Sequence, residues 1–172
     1  LENQLDLGFL VARDADESLR IETILSESLV VALSENHPLS EQAMVQLTQL
    51  REELFIMGFW DSRCGLYTTV MDVCRQAGFE PNAIQVTNEM QLTLGFVAAC
   101  MGIALLPNSI RHFHRNGVVY RPLQAPTREL SLAIAWQPDN QRLTLPNFLQ
   151  VIRAIIPLLS YWDRLGKLID YI

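Results

Sequence analysis

The sequence predicts an α/β fold. Three observations carry the prediction. Strand-length apolar runs alternate with segments of helical period, residues 54–106 read strand, helix, strand, helix, strand, and the loops leaving two of those strands feed helix starts. Of 172 residues, 49% are hydrophobic and 19% charged, a balance that buries a core and excludes a disordered chain. Three cysteines cannot pair completely, which excludes a disulfide scaffold and points to a reducing compartment. No apolar run reaches the roughly 18 residues that span a bilayer, so no membrane partner is expected. A net charge of −6 argues against this chain gripping nucleic acid unaided, since phosphate contacts need clustered Lys and Arg.

Each element has a local reason. Residues 5–11 alternate apolar with small or polar side chains, as a strand does. A chain opening inside a strand is expected to be a fragment of something longer, and it shows no secretory n-region or h-region. Residues 14–18 are a polar turn. Residues 19–25 and 29–33 are strands separated by Ser26, Glu27 and Ser28. Pro38 lacks a ladder donor and holds His37 extended. Ser40, with Glu41 behind it, is the expected N-cap of a short helix. Residues 54–58 form a short buried strand, and 59–65 a loop. A helix over 66–76 carries Leu66, Val70, Val73, Cys74 and Ala77 on one face and stops at Gly78, which suits the left-handed C′ position. Residues 84–86 are a strand. Asn88 caps a helix that runs to about Cys100 and ends at Gly102. Residues 103–106 are an apolar strand stopped by Pro107, and 118–121 and 130–136 are further strands. Residues 148–156 are helical, Pro157 interrupts, and 158–172 are helical again. There Leu158, Trp162, Leu165, Ile169 and Ile172 form a coiled-coil-like stripe, which covers its own domain or meets a partner.

In open α/β sheets, ligands sit beyond the carboxyl ends of strands. The loops after residues 54–58 and 84–86 both lead into helix N-termini, whose amides and dipole favour anions by about 0.3–1 kcal/mol each when exposed. Arg63 adds a guanidinium able to pair with a carboxylate. A small organic anion is therefore the expected ligand. Ordinary capped helices with a solvated Arg63 satisfy the same pattern.

Several runs together resemble the effector-binding domain of LysR-type transcriptional regulators. They are Leu5-Asp6-Leu7-Gly8-Phe9, then Glu27-Ser28-Leu29-Val30-Val31-Ala32-Leu33 with His37-Pro38-Leu39, then Cys74-Arg75-Gln76-Ala77-Gly78-Phe79-Glu80-Pro81. The fourth is Leu94-Gly95-Phe96-Val97-Ala98-Ala99-Cys100-Met101-Gly102-Ile103-Ala104-Leu105-Leu106-Pro107. They occur in family order over roughly residues 1–156. The resemblance implies a two-subdomain fold like type II periplasmic binding proteins, with two crossover strands near 29–34 and 130–136. Subdomain I would be 1–36 plus 130–172, with its front strands missing, and subdomain II would be 37–129. The family places its effector between the subdomains. Carried over by position, Ser62, Arg63, Cys64, Gly65, Leu66 and Tyr67 would line the first loop and helix start, and Asn88, Met90 and Gln91 the second. The neighbourhood of Arg63 and Tyr67-Thr68-Thr69-Val70-Met71 is similar to regulators that answer to aromatic or related carboxylic acids. The resemblance further implies a cytoplasmic homodimer or homotetramer. It would reach promoter DNA only through a helix-turn-helix absent from this chain, with RNA polymerase as a further partner. Family members usually carry Gly where Cys100 stands, so Cys100 is expected to crowd its turn.

No enzyme or cofactor is expected: there is no nucleophile-elbow Gly-x-Ser-x-Gly and no phosphate-binding glycine loop. His112 and His114, with His37, lack the spacing of a metal site. Two other readings share features with the first. A periplasmic solute-binding protein has the same architecture. A redox-sensing branch of the family pairs two cysteines near this helix, as Cys64 and Cys74 would be. Ten helical residues separate cysteines by roughly 15 Å, beyond the about 7 Å that a disulfide tolerates.

Overall fold

The computed structural model describes residues 5–11, 18–58, 64–85, 89–124, 128–140 and 142–169, with backbone alone at 85 and 158–169. In chain order the elements are β1 (Gly8–Val11), β2 (Arg20–Glu27), β3 (Leu29–Ser34), β4 (Leu54–Met57), α1 (Gly65–Gln76), β5 (Asn82–Gln85), α2 (Met90–Ala98), β6 (Ala104–Pro107), β7 (Val118–Pro122), β8 (Leu130–Trp136) and α3 (Thr144–Ile169). Internal contacts divide the chain into unit 1, Leu1–Ser26 with Ser131–Ile172, and unit 2, Glu27–Leu130.

Unit 2 is built around β3. Its sequence, LVVALS, is an unbroken apolar run, and all six residues are buried. Such a run needs cover on both faces and neighbours on both edges. It has antiparallel partners in β6, with Ala32 opposite Ala104, and in β7, with Ala32 opposite Tyr120. β4 and β5 pair in parallel, with Phe55 opposite Ala83. A parallel bridge from Phe55 to Ile103 ties β4 to the start of β6, through Ile56 N donating to Ile103 O (2.7 Å) and Ile103 N to Leu54 O (2.8 Å). The strands thus run β5-β4-β6-β3-β7, and β4-α1-β5-α2-β6 is the expected βαβαβ path. Residues 29–34 pair with strands of unit 2, and internal contacts group them with it.

Both helices of unit 2 end in the same way. After α1, Gly78 takes φ 83°, Gly78 N donates to Arg75 O and Phe79 N to Cys74 O. After α2, Cys100 takes φ 60°, Cys100 N donates to Val97 O and Met101 N to Phe96 O. These are paired Schellman bonds, satisfying carbonyls the last turn leaves open. A Cβ in the left-handed region costs roughly 1–2 kcal/mol, so Cys100 sits where glycine would rest without strain. The residue is exposed, and its Sγ lies 3.1 Å from the Oγ of buried Ser34.

Unit 1 holds a three-stranded sheet in the order β1-β8-β2. β1 and β8 are antiparallel, with Phe9 opposite Ile134. Helix α3 buries Leu145 and Leu149 against Ile134, with Leu7, Ile24, Trp136 and Ile152 packed around them. On the solvent side Arg153 grips Glu22 with both branches of its guanidinium, Nε donating to Oε1 at 2.9 Å. That hydrogen bond holds the Glu22 carboxyl below its ordinary range.

Three expectations are corrected. No α-helix opens at Ser40. A 3-10 turn spans Pro38–Glu41, with His37 as N-cap accepting from Leu39 N, and Ser40 is buried inside it. Glu89, not Asn88, stands at the N-cap of α2. Pro157 does not interrupt its helix: α3 runs from Thr144 to Ile169 through it. A proline deletes one ladder bond and crowds one carbonyl, which a 26-residue helix survives. The stripe expected on 158–172 falls on side chains outside the described set.

Candidate functional site

The carboxyl end of β4 and the starts of α1 and α2 meet around one hollow inside unit 2. It is lined by Phe55, Ile56, Met57 and Gly58 of β4 and its exit, by Cys64, Leu66, Tyr67 and Val70 of α1, by Met90 and Thr93 of α2, and by Leu105 and Leu106 of β6. Its volume is about 70 Å³. The floor belongs to the core: Phe55, Ile56, Val70, Thr93, Leu105 and Leu106 are each at most 4% exposed. Cover on both faces explains this: β4 and β6 are unbroken apolar runs whose successive residues are buried on either side.

The rim is made by helix starts. Cys64 is the N-cap of α1 and Glu89 of α2, both extended, and neither side chain caps the first-turn amides. The hydroxyls nearby turn back onto carbonyls instead. Thr68 Oγ1 donates to Gly65 O (3.0 Å), Thr69 Oγ1 to Gly65 O (2.8 Å) and Thr93 Oγ1 to Glu89 O (3.3 Å). Two helix dipoles therefore present their positive ends beside an apolar hollow. That combination suits a ligand with a negative head and a hydrocarbon body.

Of the positions singled out from sequence, the structure brings Cys64, Leu66, Tyr67 and Met90 together around the hollow. Gly65 opens α1 and is buried behind the rim. Gln91 is exposed and not in the lining. Ser62, Arg63 and Asn88 lie outside the described residues. Sequence reasoning missed the floor. Its signal lies in the apolar carboxyl ends of the 54–58 and 103–106 strands.

The cysteines are free and differ in setting: Cys64 half-buried, Cys74 buried and Cys100 exposed. Burial, reinforced by the Glu80 charge, pushes the Cys74 thiol up to about 12. With α1 unbroken from Gly65 to Gln76, a Cys64–Cys74 link requires unwinding it. A thiol-specific reagent at neutral pH is expected to label Cys100 first and Cys74 only on unfolding. Peptide mapping of labelled native protein checks this, and fast labelling of Cys74 contradicts it.

His112 is the last residue of a short 3-10 helix, and both His112 and His114 are exposed. Among the described residues no group of three His, Cys, Asp or Glu stands together as metal ligands. No described helix is long and apolar enough to cross a membrane.

The family model described as "LysR substrate binding domain" matches residues 1–156. Among curated proteins, the chain is 30% identical over 151 residues to the HTH-type transcriptional regulator AlsR of Bacillus subtilis, covering 88% of this chain and 50% of AlsR. It is 28% identical over 151 residues to the HTH-type transcriptional regulator BudR of Raoultella terrigena, covering 87% and 52%. The chain thus spans about half the length of these relatives. Among solved structures, the BenM effector binding domain with its effector benzoate superposes with a TM-score of 0.79 at 28% identity, over 93% of this chain and 73% of that one.

Proposed function

Because this chain belongs to the LysR substrate binding domain family, we propose that it senses a small organic carboxylate for a DNA-binding transcriptional regulator. The type II periplasmic-binding-protein-like fold of LysR effector-binding domains is the fold it shares with its structural neighbours. One observation supports the ligand class above the rest. Two helix N-termini with no side-chain cap border a hollow whose floor is hydrocarbon. The carboxylate sits at the amides of α1, away from the Glu89 carboxyl that stands at the start of α2, and its organic part enters the hollow.

The proposed mechanism is a shift in population. An effector changes regulator activity only if it binds two arrangements of the protein unequally, and tenfold selectivity is about 1.4 kcal/mol. The readout is a homo-oligomer whose helix-turn-helix segments, outside these residues, hold promoter DNA in the cytoplasm. The chain's net charge of −6 agrees with leaving DNA contact to another segment.

The test is a thermal-shift screen of small monocarboxylates, followed by calorimetry on those that raise Tm. At least one is expected to bind saturably. Leu66→Glu, which puts a negative charge in the first turn of α1, is expected to weaken it at least tenfold, about 1.4 kcal/mol. Absence of any carboxylate binding, or an unchanged Kd in Leu66→Glu, overturns the proposal.

A further inference from the structure

Resting on the sensor reading only for what the movement serves, we infer that Glu27 is a positioning residue: its carboxylate, held by Ser109, fixes the point at which the chain bends between its two units. The chain passes from unit 1 to unit 2 at 26/27 and returns at 130/131. The return lies inside the unbroken strand β8. The outward crossing leaves a single residue, Ser28, between β2 and β3. Both residues just past the division are stitched to the 3-10 turn Asn108–His112 that follows β6. Ser109 N donates to Glu27 Oε2 at 2.6 Å, and Ser109 Oγ donates to Glu27 Oε1 at 3.2 Å. Asn108 N donates to Ser28 O at 2.9 Å. Hydrogen bonds to a carboxylate are roughly twice as strong as neutral ones, so the Glu27 bonds are the firmer part of the stitch.

The turn that holds Glu27 is itself anchored. Its Ile110 is 5% exposed and belongs to the packed cluster of Ile56, Val97 and Leu106. Leu105 and Leu106, immediately before the turn on β6, line the hollow. On the other side of the division, Ser26 Oγ lies 3.2 Å from Ser131 Oγ, within unit 1. Between Ser26, held by unit 1, and Glu27, held by unit 2, stands one planar peptide. The soft torsions between these anchors are ψ of Ser26 and φ of Glu27. Hinges are a few residues that absorb such a change. A shift of β6 therefore reaches Ser26 without slack. Releasing Glu27 spreads the bend over Ser26, Glu27 and Ser28 and absorbs the shift locally.

Two measurements, both without acid, test the inference. Amide hydrogen exchange reads the stitch. Glu27→Ala is expected to speed exchange of Asn108–His112 by about tenfold or more and to leave Leu29–Ser34 at its slow rate. Spin labels on exposed Cys100 and on Asp139→Cys, one in each unit, read the joint, with Cys64→Ser in every variant. Glu27→Ala is expected to broaden the distribution of distances between the labels. Glu27→Gln, whose amide still accepts from Ser109 N and donates to Ser109 Oγ, is expected to restore the parent width. If Glu27→Ala does not fold, Ser109→Ala removes the hydroxyl bond alone and is expected to broaden the distribution less. Unchanged exchange at Asn108–His112 overturns the stitch. Faster exchange with an unchanged width means that Glu27 only caps the turn, and overturns the positioning role. Either result leaves the carboxylate reading standing, and failure of the acid screen overturns that reading and leaves the joint standing.

Discussion

Gly102→Ala is expected to destabilise unit 2 by about 3 kcal/mol or more, a large part of a typical domain's 5–15 kcal/mol. A Cβ at this position would stand 2.4 Å from the Leu54 carbonyl oxygen and 3.0 Å from Ile56 Cδ1. The backbone carries φ +154°, where L side chains are strained. The struck carbonyl is the acceptor of Ile103 N at 2.8 Å, one of two bonds that tie β4 to the start of β6. Neither partner can retreat, since β4 is clamped by β5 on its other edge. Gly95→Ala is the control. Its Cβ would meet only the end of the Arg115 side chain, at 3.5 Å, and in a helix interior alanine is favoured over glycine by about 0.5–1 kcal/mol. Urea unfolding of both variants checks the pair, and a Gly102→Ala loss under about 1 kcal/mol contradicts the close approach.

Phe55→Ala carries the second large effect, an expected loss of about 3–5 kcal/mol. Phe55 is 1% exposed, and its ring centroid lies 6.2 Å from that of Phe79, whose ring the Arg51 guanidinium overlies at 6.0 Å. Truncation removes transfer energy and leaves a void that the parallel strands cannot close. Phe55→Leu keeps most of the volume and is expected to cost less than half as much. Denaturant midpoints order the variants, and equal losses for both would mean that burial at this site does not set stability. Phe55 also lines the hollow, so both substitutions are expected to change acid affinity.

Much of this was legible in the sequence where a local rule was enough. β8 is found at the expected residues 130–136, and α1 begins one residue early. The Gly78 stop is found at its left-handed C′ position. The errors arise where two rules compete. Ser40 has the chemistry of an N-cap, but Pro38 at the first helical position hands that role to His37. Pro157 has the chemistry of a stop, but a proline removes one ladder bond, and the helix continues through it. At the candidate site, the helix starts were legible because anion-favouring amides follow strand ends. The floor was not, because Ile56, Val70 and Leu106 look the same in sequence whether they fill a core or border a hollow. Only the packing of β4, β6 and α2 tells these apart.

β3 is hydrogen-bonded along both edges, to β6 and to β7, and covered on both faces. Its amide protons have no local route to water, so deuterium reaches them only when the whole of unit 2 opens. The slowest-exchanging peptide in the molecule is therefore expected to contain Leu29–Ser34, and its rate is a running gauge of that unit's global stability.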